Sequence, residues 1–136
     1  MTASVLEKEL EKARSLHGHL CPGTVIGVRM GLAGLKEINI TDPRGSQRKD
    51  IIIFVESDRC AIDAIQSVSG CRLSSRTLKF YDYGKMAATF LNLRTSKAVR
   101  VVCPESTRDL VDVYCPDGIK NAKEKAVEAY KVMPED

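Results

Sequence analysis

Both histidines of this 136-residue chain, His17 and His19, lie within five residues of Cys21, in the stretch HGHLCPG at 17–23. Imidazole and thiolate are borderline-soft ligands suited to Zn²⁺, Ni²⁺ or a related transition ion. If the segment is extended, His17, His19 and Cys21 alternate onto one side, because the period of a strand is two. Cys21 also precedes Pro22 at the mouth of an expected helix, where free amides and the helix dipole favour thiolate over thiol. The plainer alternative is two loop-capping histidines and a buried cysteine.

A second cluster is Ser57-Asp-Arg-Cys-Ala-Ile-Asp-Ala-Ile-Gln66. Cys60 falls in the first turn of its expected helix, and Asp63, three residues on, shares its face. The cluster follows a strand end, where loops converge and sites form. If the two thiols meet, one small site collects His17, His19, Cys21, Cys60 and Asp63. Taken alone, Cys60 is as well explained as a small buried hydrophobe. Cys71 reads as core after a helix stop, and Lys85 as a solvated turn residue that could meet an anion. Cys103 and Cys115 read as structural. No GxGxxG, Walker loop, HExxH or GxSxG is present, which removes the commonest motif-borne nucleotide and hydrolase readings.

The elements that must position these groups follow from patterning. Ser4-Val-Leu-Glu7 is a capping-box pattern, and Leu6, Leu10 and Ala13 repeat at helical spacing, so residues 4–15 form a first helix with 16–20 as connection. Pro22 opens a second helix over 22–37, with Val25, Val28, Leu32 and Leu35 as its apolar stripe. Gly23, Gly27 and Gly31 recur every four residues on it, and each mid-helix glycine costs about 1 kcal/mol relative to alanine. Close approach by a neighbour, within the monomer or across a dimer, would account for them. Residues 41–50 form a polar loop whose basic run, Arg44 to Lys49, reads as solvated. Ile51 to Val55 reads as a central strand buried on both faces. Ser57 or Asp58 caps a helix running to Ser69, stopped by Gly70. Residues 78–82 and 86–91 read as a hairpin around Tyr83-Gly-Lys85, and 98–103 as a further strand. A helix over 105–114, a turn at 115–118 and a last amphipathic helix with Ile119, Ala122, Ala126, Ala129 or Tyr130, and Met133 inward complete the chain. A mid-chain hairpin disfavours a doubly wound parallel sheet, so the fold class is α+β, with a mixed or antiparallel sheet, a central buried strand and helices packed on it.

Composition bounds the rest. A single domain of 15.0 kDa, 43% hydrophobic and 29% charged, is ordinary globular material. The net charge of +3 is too small and too evenly spread for a nucleic-acid stripe. The longest apolar run is five residues, and no basic-plus-apolar leader precedes the first helix, so neither a membrane span nor a secretory signal is expected. Five cysteines without such a signal argue for reduced thiols and a cytoplasmic protein.

HGHLCPG at 17–23, CAIDAIQSVSGC at 60–71 and DYGKMAATF at 82–90 together resemble the FmdE family, named for a component of formylmethanofuran dehydrogenase. The resemblance spans roughly residues 10–95. It implies an α+β core domain, usually a homodimer, associated with the molybdenum or tungsten formylmethanofuran dehydrogenase and one-carbon metabolism of anaerobes. Some members add a cysteine-rich C-terminal zinc finger, which is not expected here. Carried over by position, His17, His19 and Cys21 match the first motif, and Cys60, Asp63 and Gln66 the second, with Cys71 and Lys85 in matching glycine-containing motifs. After Gly70-Cys71 such families tend to continue with Thr and a Gly-Lys pair. This chain instead reads Arg72-Leu-Ser-Ser-Arg76, leaving Arg72 or Arg76 as substitutes if that pair serves an anion.

Three functions compete on this reading. The leading one is a metal-binding accessory or small redox protein holding Zn²⁺, or Ni²⁺ or another ion, through His17, His19, Cys21 and Cys60. Cys21, Cys60 and Asp63 are its reactive groups, and Gln66 and Lys85 contact a ligand of unknown identity. The second is a metal-free cysteine-dependent enzyme with Cys21 as nucleophile and a histidine as base. The third is a non-catalytic docking module of a larger molybdenum or tungsten enzyme.

Overall fold

The computed structural model describes residues 3–104 together with Val127, Tyr130 and Lys131. Helices α1 (Ala3–His17), α2 (Pro22–Glu37) and α3 (Cys60–Ser69) accompany strands β1 (Ile51–Val55), β2 (Leu78–Phe80), β3 (Ala87–Asn92) and β4 (Ala98–Val102). The strands form one mixed sheet in the order β2-β1-β3-β4. The architecture is α+β, as the alternation of patterns indicates. The expected helix over 105–114, the turn at 115–118 with Cys115, and most of the last helix lie outside the described residues. Of that last helix, Val127 and Tyr130 are helical and pack into the core.

The core collects the apolar stripes of the three helices against one face of the sheet. Leu6, Leu10 and Ala13 of α1, Val25 and Val28 of α2, and Ala64 and Ile65 of α3 are all buried. Ile51, Ile53 and Val55 of β1 meet them, at 1% exposure or less. Contrary to the expectation of a strand buried on both faces, Ile52 and Phe54 are only half-buried. Phe54 instead stacks on Tyr81, ring centroids 6.4 Å apart, on the face away from that core. An all-apolar run therefore hides an ordinary alternation.

The hairpin expected at 78–91 is also corrected. β2 pairs parallel to β1 from one side, with Ile53 opposite Leu78, and β3 pairs antiparallel to β1 from the other, with Ile53 opposite Phe90. The chain from 81 to 86 thus crosses the end of β1 rather than turning a tight hairpin, held there by Tyr83 and Lys85 amides donating to the Glu56 carbonyl (3.0 and 3.2 Å). The antiparallel hairpin is β3–β4, whose return is fixed by Asn92. Its side-chain oxygen accepts from the Arg94 and Thr95 amides (3.0 and 3.3 Å), and its side-chain nitrogen donates to the Ile38 carbonyl (2.9 Å).

The glycine stripe faces α3 within the same chain. A Cβ at Gly27 would lie 2.7 Å from both Ala61 Cα and Ala64 Cβ, which is a collision, partly with backbone. At Gly31 it would meet Val68 Cβ at 3.3 Å, a side chain able to shift. The missing side chains thus let α2 and α3 touch, and this face is not free for a second copy. Gly27→Ala is expected to destabilise the fold by about 1–3 kcal/mol, overpacking outweighing the gain in helix propensity. Gly31→Ala should come out near neutral by thermal unfolding. Equal effects at the two positions would contradict this packing.

Candidate metal and thiol site

The α2–α3 contact sets the site, because it brings two helix starts side by side. Cys21 immediately precedes α2, in extended conformation with Pro22 at the first helical position. Cys60 is the first residue of α3, preceded by an extended Arg59, and neither Ser57 nor Asp58 supplies the expected side-chain cap. Gly23 sits between the thiols: a Cβ there would lie 3.1 Å from Cys60 Cβ and 4.0 Å from Cys21 Sγ. A larger residue would wedge the pair apart.

The third contributor is the end of α1, which runs two residues further than its pattern suggests, to His17. Gly18 stops it, donating to the Arg14 carbonyl at 2.8 Å with a left-handed φ of 99°. The segment 17–21 is therefore not a strand, and alternation is not what gathers its side chains. The helix stop folds the chain back instead. His17, His19 and Cys21 ligand atoms all lie within 4.8 Å of one another, and the two imidazoles are 4.9 Å apart, tilted by 39°. Cys60 is not part of that threesome.

Asp63 orients the cluster. One turn into α3, its Oδ2 lies 2.7 Å from His17 Nδ1. The His17 side chain is 16% exposed, and its Nε2 is buried without a hydrogen-bond partner among the described residues. The hydrogen bond to Asp63 raises the His17 pKa against the opposing effect of burial, with Cys21 adding to the rise.

The two thiols are pushed in opposite directions. Burial works against the Cys21 thiolate, yet hydrogen bonds from Thr24 and from the Cys60 thiol, together with His17, bring its pKa below the usual cysteine range. The Thr24 hydroxyl is 3.1 Å from Cys21 Sγ. Burial raises the Cys60 pKa, and the neighbouring Cys21 sulfur raises it further. Cys21 is thus the more acidic of the two thiols, and Cys60 the hydrogen-bond donor toward it. Thr24 is a residue that sequence reasoning misses, although its spacing, three residues after Cys21, lets a hydroxyl reach back to the preceding side chain.

A cavity of about 470 Å³ opens beside this cluster, lined among others by His17, Cys60, Asp63, Gln66 and Phe80. Gln66 therefore stands near the site. Lys85 does not: it is exposed in the 81–86 crossing, near the Glu56 carboxylate, which Arg100 clamps through two hydrogen bonds of 2.8 and 2.9 Å. Cys71 is buried, and burial raises its pKa; Cys103 packs half-buried against the core. Neither belongs to the site.

Residues 16–136 match the family described as FmdE, molybdenum formylmethanofuran dehydrogenase operon. A protein of Archaeoglobus fulgidus described as a probable S-adenosyl-L-methionine-binding protein is 35% identical over 99 residues, covering 72% of this chain but only 27% of its own length. The crystal structure of a tungsten formylmethanofuran dehydrogenase FmdE-like protein from Syntrophus aciditrophicus superposes with a TM-score of 0.53 at 25% identity, covering 64% of this chain and 44% of that one. The chain thus spans less than half of either relative. With the family match running through the imidazole–thiol segment, both helix starts and the sheet, the chain belongs to the FmdE family.

Proposed function

We propose that residues 1–136 form one FmdE-type domain that binds a transition metal, Zn²⁺ in first place and Ni²⁺ as the nearest alternative, and serves a formylmethanofuran dehydrogenase-type system in the cytoplasm as a homodimeric accessory or small redox protein. The observation that carries the metal reading is His17. Its Nδ1 is engaged by Asp63 at 2.7 Å while its Nε2 is buried and unpartnered among the described residues. A buried polar nitrogen left unsatisfied is costly. A carboxylate on the far nitrogen is the arrangement that fixes a metal-bound imidazole in the right tautomer. The donor set of two imidazoles and a thiolate fits a borderline-soft ion.

His17 Nε2, His19 and Cys21 would hold the ion, with Cys60 near enough to serve as a fourth or exchangeable ligand. Bound there by three protein groups, zinc supplies Lewis acidity and an acidified water. The chain's own residues do the rest. Thr24 and Cys60 favour the Cys21 thiolate, Asp63 keeps the His17 proton on Nδ1, and the Cys60 thiol is the more weakly acidic of the two, beside the ligand cavity. Gln66 offers an amide to whatever occupies that cavity.

Elemental analysis of protein purified without an affinity tag tests this. About one equivalent of one transition metal per chain is expected, and less than about a tenth of an equivalent of any would contradict it.

A metal-free thiol enzyme is the second reading, favoured by the depressed Cys21 pKa and the Cys60 proton donor beside it. It shares the nucleophile and differs in needing His17 as a base rather than as a ligand.

A further inference from the structure

A cavity more than twice the size of the one beside the thiols opens elsewhere. It measures about 1100 Å³ and lies between α1, the 41–50 loop and the segment after α3. Lys12, Arg44, Arg48, Lys49 and Arg72 all line it, and no Asp or Glu does among the described residues. The whole chain has 21 basic against 18 acidic residues, so this segregation does not follow from composition.

Two of the guanidinium groups are held in place. Arg44 donates to the Ser67 carbonyl at the end of α3, and its stem packs over Gly70, where a Cβ would lie 3.0 Å from Arg44 Cγ. Arg72 Nε donates to Ser75 Oγ at 3.2 Å. The loop carrying Arg44, Arg48 and Lys49 is tied internally. Gln47 Oε1 accepts from the Thr41 and Asp42 amides, both at 2.8 Å. The Asp42 carboxylate accepts from the Ser46 amide (2.9 Å) and hydroxyl (3.1 Å) inside the loop. Arg44, Arg48 and Lys49 are exposed, as the reading of a solvated loop expects. Lys12 pairs with Glu9 at 3.3 Å on the exposed surface of α1, while Arg48 and Lys49 have no ion-pair partner among the described residues. With Lys12 already paired to Glu9, the four arginine and lysine charges of the other two segments repel one another unless an anion joins them.

We propose that this cleft binds a small molecule carrying two or more phosphate groups. Cations drawn from three segments around a cavity of about 1100 Å³ suit more than one phosphate, and guanidinium forks match phosphate oxygens two at a time. The concave shape favours a compact ligand over a nucleic-acid strand, which calls for a stripe. Of Arg72 and Arg76, only Arg72 faces this cavity, Arg76 being the exposed left-handed stop of the short turn at 73–75. Gln66 lines both this cavity and the one beside His17 and Cys60, so a ligand anchored by its phosphates extends past Gln66 toward the thiols.

Isothermal titration of metal-free protein with inorganic tripolyphosphate at low salt tests the proposal, and chelator keeps it independent of the metal site. Saturable binding at one per chain is expected, at least about tenfold tighter than orthophosphate. The double substitution R48E/K49E and, separately, Arg72→Ala are each expected to weaken it by about tenfold or more with the circular dichroism unchanged. The reversal R94E/K97E, in the exposed β3–β4 turn outside the cleft, should change it little. No saturation at millimolar tripolyphosphate would overturn the proposal, as would equal sensitivity to the two charge reversals. A single-stranded oligonucleotide binding more tightly than tripolyphosphate under the same conditions would overturn it in favour of nucleic acid. If tripolyphosphate binds while the protein takes up no metal, the cleft stands and the metal reading falls; the converse holds equally.

Discussion

Replacing Asp63 by alanine is expected to weaken Zn²⁺ binding by about 10–100-fold, the usual cost of losing the carboxylate behind a metal-bound imidazole. Asp63 holds Nδ1 at 2.7 Å, so without it the ring would lose both its tautomer and its aim. Asp63→Asn retains an oxygen that accepts from Nδ1–H but loses the charge, and should fall between wild type and alanine. Competition against a chromophoric chelator measures both. A Kd within about twofold of wild type for Asp63→Ala would remove His17 from the ligand set.

The same contact sets the pH dependence. The folded-state pKa of His17 is raised, chiefly by its hydrogen bond to Asp63. In metal-free protein the pair therefore stabilises the fold below the unfolded histidine pKa, and that contribution is lost as pH rises through the raised folded value. Metal needs the neutral ring, so its affinity runs the other way, falling as pH drops below that value. Stability of the metal-free form and metal affinity should thus change in opposite directions with pH. Asp63→Ala should shift both midpoints down.

The second large effect concerns the thiol pair. In metal-free protein, Cys21 should be alkylated with a pH midpoint below that of an ordinary free cysteine, about 8.5. Cys60→Ala removes the thiol that hydrogen-bonds to Cys21 Sγ, and should move that midpoint up and slow alkylation at neutral pH several-fold. Thr24→Val should act in the same direction, because the hydroxyl at 3.1 Å is lost. Cys60 itself should react late, being pushed up by burial and by its neighbour. Mass-spectrometric mapping of the alkylated peptides separates the two sites. A Cys21 midpoint unmoved by both substitutions would contradict the hydrogen bonds to its sulfur.

Much of this site is legible in residue types, but not in strand geometry. HGHLCPG stands out because both histidines of the chain flank one cysteine. Strand alternation is the wrong reason for their meeting: Gly18, in a left-handed conformation after the last turn of α1, folds the chain back and does the gathering. The convergence of Cys21 and Cys60 depends on two helices lying in contact. The glycine spacing at 23, 27 and 31 carries that signal, though not whether the neighbour is inside the chain or across a dimer. The hairpin misreading has a similar origin. Asp82-Tyr-Gly-Lys85 has the composition of a turn, and local composition does not reveal that β1 inserts between β2 and β3. The basic cleft is only partly legible along the chain: the run Arg44 to Lys49 stands out, but its meeting with Lys12 and Arg72 depends on the fold.

The most direct test of the metal centre is X-ray absorption at the edge of whichever metal accompanies tag-free protein. For zinc, a mixed shell is expected, with nitrogen at about 2.0–2.1 Å, sulfur at about 2.3 Å and imidazole scattering beyond. Asp63→Ala should weaken the imidazole features. A shell of oxygen and nitrogen alone, with no sulfur, would contradict a centre built on His17, His19 and Cys21.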